Sequence, residues 1–187
     1  MAPEVLTPPA SEPVSLAEAR AHLRVTTDEE DALIGRLIAS ARQRVEAELG
    51  IALITTAFRE GGDGWELDAV GRLNLGRGPL IAVDALAVAN AAGTFTGVPA
   101  DRYLAEIGSR PGTLVATGAG LPAPGRATGG VRIDYRAGFG ADPASVPQPL
   151  RQAILLLVAE AFEHREPVVA ALLSVEAWLA PWRRVRL

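Results

Sequence analysis

Between Val146 and Pro167 the chain reads VPQPLRQAILLLVAEAFEHREP, and no other stretch limits the fold so tightly. Pro147 and Pro149 stand at a helix start, where a missing N–H costs nothing because the first turn has no partner for it. From Ala153 to Phe162 every residue except Glu160 is apolar, so the one-sided stripe of a surface helix gives way to apolar surface almost all round. Such a helix needs neighbours on several sides. It reads first as a core helix of a globular domain, and further as one whose partners include other copies of the chain. Glu163, His164, Arg165 and Glu166 close it, with the cations at the negative end of the helix dipole and Pro167 forbidding continuation.

A chain of 187 residues holds one large domain or a domain with a substantial insertion, and it buries about 70% of its unfolded surface. The net charge of -4 argues against a whole-surface footprint for nucleic acid. With no cysteine, disulfide frameworks, thiolate metal sites and cysteine nucleophiles are excluded together. All 18 basic residues are arginine, a bias that a GC-rich genome produces without selection, and one that removes Schiff-base lysines and the P-loop lysine. The opening MAPEVLTPPASEP lacks a basic segment followed by an apolar core, so it does not read as a signal peptide. No uncharged apolar run approaches the roughly 18 to 20 residues that span a bilayer. The expectation is a soluble chain made in the cytoplasm.

Taken in order, residues 1–13 carry four prolines and read as an extended N-terminal arm. Ser15 to Glu18 forms a capping box ahead of LAEARAHL, and Thr27 to Glu30 forms a second. Behind the second, Leu33, Ile34, Leu37, Ile38, Ala41, Val45 and Leu49 recur at spacings of three and four, which predicts an amphipathic helix stopped by Gly50. Its opposite face carries Asp31, Arg36, Arg42, Arg44, Glu46 and Glu48, a solvated or subunit-facing surface. From Ile51 the signals turn strand-like: IALITTAFRE, WELD, RLNL, PLIAVDALAVAN, RYLAEI, TLVAT and GVRIDYRAG, separated by glycines and prolines. Six or seven short strands predict a small antiparallel sandwich or open barrel. The helical pattern then resumes. The fold class is therefore α+β: a helical bundle of two N-terminal helices plus a C-terminal core helix, with an inserted small antiparallel β module. The expected organisation is a helical core over 14–50 and 146–180, the β module over 51–145, and a tail over 181–187. A short helix capped by Ser174, with Trp178 and Leu179 packing inward, fits before Pro181.

Chemistry is hard to find. No G-x-S-x-G elbow is present, and neither His22 nor His164 falls in an H-E-x-x-H pattern. Glu160 and His164 share a helix face, but two ligands do not make a metal centre, and a helix-terminal cation explains the histidine better. The glycine pairs at Gly76 and Gly78 and at Gly138 and Gly140 are not followed by the third glycine of a dinucleotide loop. No catalytic residue, metal or cofactor is assigned, and an enzyme has the least support of the readings. The ending WRRVRL, residues Trp182, Arg183, Arg184, Val185, Arg186 and Leu187, leaves three readings open. It is an idle charged terminus, a nucleic-acid contact, or a peptide that docks on a partner by strand addition.

Several segments together resemble one family. PVSLAEARAHLRVTTDEEDALIGRLIASARQRVEAELGIALITTAF, LNLGRGPLIAVDALAV, VRIDYRAGFGADPASVPQPLRQAILLLVAEAFEHREP and EAWLAPWRRVRL resemble the head–tail connector, or adaptor, proteins of long-tailed bacteriophages and gene transfer agents. The resemblance runs from about residue 14, with Ala91 to Gly129 the least characteristic segment. It implies a structural virion protein at the head–tail interface, synthesised in the bacterial cytoplasm, and no enzyme. It implies a homo-oligomeric ring, usually a dodecamer, beneath the portal protein, a platform for the next head-completion or tail protein, and DNA passing through without sequence-specific binding. It also implies that the portal-binding tail is Trp182 to Leu187. A closed ring needs two different complementary surfaces on each subunit, and Asp31, Arg36, Arg42, Arg44, Glu46 and Glu48 are the candidate ring interface. The alternative is a nucleic-acid-binding module that uses the arginine-rich tail. No membrane partner is implied.

Overall fold

The structure, a computed structural model, describes residues 2–164 and 170–183, with the backbone alone over 170–174. It is α+β, with helices and antiparallel sheets. The chain divides into two compact units, Met1–Pro9 with Gly50–Phe139, and Ala10–Leu49 with Gly140–Leu187. The first holds the strands and the second the helices.

The helical unit contains α1 (Leu16–Leu23), α2 (Asp31–Leu49), α3 (Gln148–Glu163) and α4 (Ala170–Leu179). The capping box at the start of α1 is present: the Glu18 N–H donates to Ser15 Oγ at 3.2 Å, and the Ser15 N–H donates to Glu18 Oε2 at 2.9 Å. Along α2 the buried residues Ile34, Ile38, Ala41, Val45 and Leu49 form one stripe, and Gly50 at φ 64 ends the helix in the left-handed conformation. In α3, Leu150, Ala153, Ile154, Leu157 and Val158 are buried, while Leu155, Leu156 and Phe162 are half-buried. The apolar girdle thus resolves into a fully covered stripe and flanks that are partly covered. α3 packs against α1, α2 and α4, and Arg151 pins its first turn by donating to the Pro13 carbonyl at 3.0 Å and to the Glu18 carboxylate.

The sheet unit contains β1 (Glu4–Thr7), β2 (Thr56–Gly62), β3 (Arg72–Asn74), β4 (Leu80–Ala89), β5 (Phe95–Gly97), β6 (Tyr103–Glu106), β7 (Thr113–Ala116) and β8 (Val131–Ala137). They form a five-stranded sheet in the order β1-β2-β8-β4-β5 and a three-stranded sheet in the order β3-β7-β6. Alternation sets the faces. Phe58 on β2 and Ile133, Tyr135 and Ala137 on β8 point into a core shared with Leu73, Leu75 and Leu114, and the rings of Phe58 and Tyr135 stack at 5.6 Å. β4 slips register twice, between Leu80 and Ala82 and between Val83 and Ala85, which is why its sequence does not alternate cleanly. Gly138, at φ 143, lies against the backbone of Ile54 and Thr55, where a Cβ would come within 2.7 Å of main-chain atoms; no larger residue fits.

A buried carboxylate interrupts this core. Glu60 on β2 is 1% exposed, and its Oε1 accepts from the Tyr135 hydroxyl and from the Gly76 N–H at 2.7 Å. Tyr135 in turn accepts from the Arg77 N–H at 3.2 Å. Burial first, and then the Glu60 carboxylate, push the Tyr135 hydroxyl well above its ordinary range, so it remains a donor. The pair clamps the segment between β3 and β4 to β2 and β8.

On the opposite face of the five-stranded sheet, Arg59 and Asp134 are cross-strand partners joined by a two-pronged fork, with both N–O distances 2.7 Å. The hydrogen bonds from Arg59 hold the Asp134 carboxyl below its ordinary range. A carboxylate depressed in the folded state adds stability that is complete above its unfolded value, about pH 4, and is lost as pH falls through the folded value. Asp134→Asn is therefore expected to lower stability by about 1 kcal/mol at neutral pH, with the gap from wild type closing below about pH 4. Urea midpoints measured from pH 7 to pH 2.5 check this, and a gap that persists undiminished at the acid end would contradict it.

The structure refines one expectation and corrects several. The extended arm over 1–13 docks in part on its own chain, with Glu4–Thr7 paired to β2 as an edge strand, which a short run of exposed residues does not announce in the sequence. The capping box at Thr27 to Glu30 does not start α2, which begins at Asp31 after a turn in which the Asp31 N–H donates to the Asp28 carbonyl. α4 begins at Ala170, so Ser174 lies inside it. Leu179 is buried, but Trp178 is 41% exposed. IALITTAFRE is a strand only from Thr56, and WELD contributes no more than an isolated bridge from Leu67 to Leu73.

Candidate assembly surfaces

The six charged residues of α2 do not form one outward face. Arg42 is buried, donating from Nε to Glu12 Oε2 at 2.8 Å and from NH1 to Glu46 Oε2 at 2.7 Å. It ties the segment before α1 to α2; Arg42 is buried and Glu46 half-buried, so the expectation of a solvated position fails at Arg42. The reason is Glu12, thirty residues upstream, which no helical periodicity connects to α2. Asp31 is half-buried and pairs with Arg20 at 3.3 Å. Glu48 accepts from Arg183 at 2.6 Å. Arg36 and Arg44 remain: both are exposed and have no ion-pair partner among the described residues. Eight positions apart, they rise about 12 Å along one side of the helix.

At the C-terminal end, α4 runs into a single 3₁₀ turn, Ala180–Trp182. Trp182 is half-buried. Arg183 is held between α2 and α4, with NH2 on Glu48 at 2.6 Å and NH1 on Glu176 at 2.7 Å. The expected docking tail therefore starts from a fixed root at Trp182 and Arg183, while Arg184, Val185, Arg186 and Leu187 lie outside the described residues. Sequence reasoning missed this root, although Glu176, one helical turn before the 3₁₀ segment, is the local signal that points to it.

Exposed apolar side chains mark other surfaces. Leu104 on β6 and Ile107 just after it are 65% and 64% exposed, and in register Leu104 sits opposite Val115 and through it Arg72. On β1 all four residues are exposed, including Val5 and Leu6. His164 lies 3.4 Å from Glu160, and among the described residues no group of three or more metal-ligating side chains forms. Among the described residues, no helix is long and apolar enough to cross a membrane.

Comparison with known proteins gives this geometry a context. A sequence profile of phage gp6-like head–tail connector proteins matches residues 13–94. No curated protein matches significantly. Among solved structures, the chain is similar to a protein in the neck of an empty gene transfer agent particle computed with C6 symmetry. The two share 31% identity over 100% of this chain and 97% of the other, with a TM-score of 0.88. A chain from the virion of a native gene transfer agent particle is 31% identical over the same shares with a TM-score of 0.85. A chain from the neck of a native particle computed with C12 symmetry is 32% identical, again over 100% and 97%, with a TM-score of 0.84.

Proposed function

This chain belongs to the phage gp6-like head–tail connector family, and from that premise we propose that it forms a ring beneath the portal, joining the capsid vertex to the tail and leaving a channel for DNA. Connectors of this family are structural virion proteins, so the function is geometric and not enzymatic. The observation that carries the reading is the full-length similarity, at 31% identity and a TM-score of 0.88, to a protein of a gene transfer agent neck. Twelve copies is the number we propose, supported by the C12 symmetry of a second similar neck.

In this reading the helical unit builds the ring, with the exposed Arg36 and Arg44 side of α2 on a subunit boundary. Arg42 and Glu46 serve inside each protomer. The C-terminal segment from Trp182 to Leu187 docks on the portal, and the ring's other side receives the next head-completion or tail protein. DNA passes through without sequence-specific contact. The nucleic-acid alternative is weakened because Arg183, one of the three arginines of the tail, is already neutralised by Glu48 and Glu176.

Particles assembled without this chain are the direct test. The expected result, seen by negative-stain microscopy, is heads carrying portal but no tails, with free tails alongside. Normal tailed particles would refute the connector assignment. DNA binding by the isolated chain that falls steeply with salt, and that vanishes on replacing Arg184 and Arg186, would favour the alternative instead.

A further inference from the structure

We propose that β1 is an exchangeable strand which, in the ring, leaves its own β2 and pairs with β2 of the neighbouring copy; the inference rests on the ring reading above. β1 is the least covered strand of its sheet. All four of its residues are exposed, with Val5 and Leu6 at 52% and 41%, so it is held mainly by its backbone ladder to β2. Elements with few buried contacts open at low cost. Its partner is also remote in sequence: Glu4 lies opposite Arg59 and Val5 opposite Phe58, with α1 and α2 between them. The cis pairing therefore closes a long loop, and the chain entropy this costs is one that pairing within an assembled ring need not add to.

The chain after β1 favours exchange. Pro8 and Pro9 follow directly, and the division between the two compact units falls between Pro9 and Ala10. Consecutive prolines hold an extended backbone and resist the tight reversal that would confine a strand to its own domain. Short stiff connections of this kind are where strand exchange arises.

The site left on β2 fits one occupant. Its ladder takes Glu4 opposite Arg59, Val5 opposite Phe58 and Thr7 opposite Ala57, with a bulge between Val5 and Thr7. Beside it, the Pro3 ring lies so close to Gly76 that a Cβ there would come within 2.9 Å of Pro3 Cδ. The β1 of a second copy reproduces each of these contacts, so exchange requires no new surface chemistry. It also supplies what a closed heterologous ring needs, one element given and one received by every protomer. Once protomers are side by side, the neighbour's strand is present at a high effective concentration.

The absence of cysteine makes the test clean. Thr7 and Ala57 face each other in the β1–β2 ladder. The full chain carrying Thr7→Cys and Ala57→Cys is separated into ring and monomer fractions, alone and with the portal protein, then oxidised mildly and run on a non-reducing gel. The ring fraction is expected to give a ladder of covalent multimers, and the monomer fraction an internally linked single chain. A ring fraction that yields only internally linked single chains overturns the exchange while leaving the ring intact. Rings assembled from an equal mixture of the two single variants are expected to give covalent dimers, and rings of either variant alone none. No dimers from the mixture would overturn the proposal independently of the double variant's folding. Failure of the ring reading is visible earlier, as the lack of any ring fraction before oxidation, and it removes the exchange as well.

Discussion

Replacing Ile154 by alanine is expected to destabilise the helical unit by about 2–5 kcal/mol, the cost of lost burial plus a cavity that only partly collapses. Ile154 is fully buried on α3, in the stripe with Leu150, Ala153, Leu157 and Val158, and α3 is the helix against which α1, α2 and α4 all pack. The melting midpoint should fall by at least about 8 °C. Leu155 is the control: one residue along the same helix, it is only half-buried, so its replacement by alanine should cost clearly less. Equal losses at the two positions would mean that the inward face of α3 has been misassigned.

Removal of residues 184–187 has the opposite profile. A docking role for these residues implies a thermal stability changed by no more than about 0.5 kcal/mol and an affinity for the portal protein, measured by co-sedimentation or calorimetry, that falls at least tenfold. The place of the cut matters. Deleting from Trp182 would also remove a half-buried indole and the Arg183 pairs to Glu48 and Glu176, mixing a folding effect with a docking effect. Each Arg183 pair is about 40% exposed on both sides and so contributes no more than about 1 kcal/mol; together they fix the direction in which the chain leaves α4. Unchanged portal affinity after the shorter deletion would sink the assignment of residues 184–187 to docking. If only the longer deletion abolished binding, the contact would belong to Trp182 and Arg183.

Much of the helical unit was legible because its signals are local. The Ser15 to Glu18 capping box operates over three residues, and the spacing of Ile34, Ile38, Ala41, Val45 and Leu49 is the helical period itself. The alternation of β2 and β8 was equally plain, since Val131, Ile133, Tyr135 and Ala137 take every second position and all are buried. Legibility failed where a partner is distant or a strand is short. Phe95–Gly97 is only three residues long and Glu4–Thr7 lies among prolines, so neither offers a period to count. Glu60 occupies a core position in the alternation of β2, yet a carboxylate there reads as a surface residue until Tyr135 and Gly76 are brought to it.

The candidate surfaces divide on the same line. The amino-acid order alone determined the helix types and their inward stripes, the strand-rich middle of the chain and the family it belongs to, because each depends on residues within a few positions of one another or on their pattern along the chain. Tertiary structure alone decided which charges on α2 are free. Arg42 and Glu48 look equivalent to Arg36 and Arg44 on a helical projection, but Glu12 and Arg183 reach them from segments remote in sequence. An ion pair depends on separation in space, and only the folded chain sets that separation.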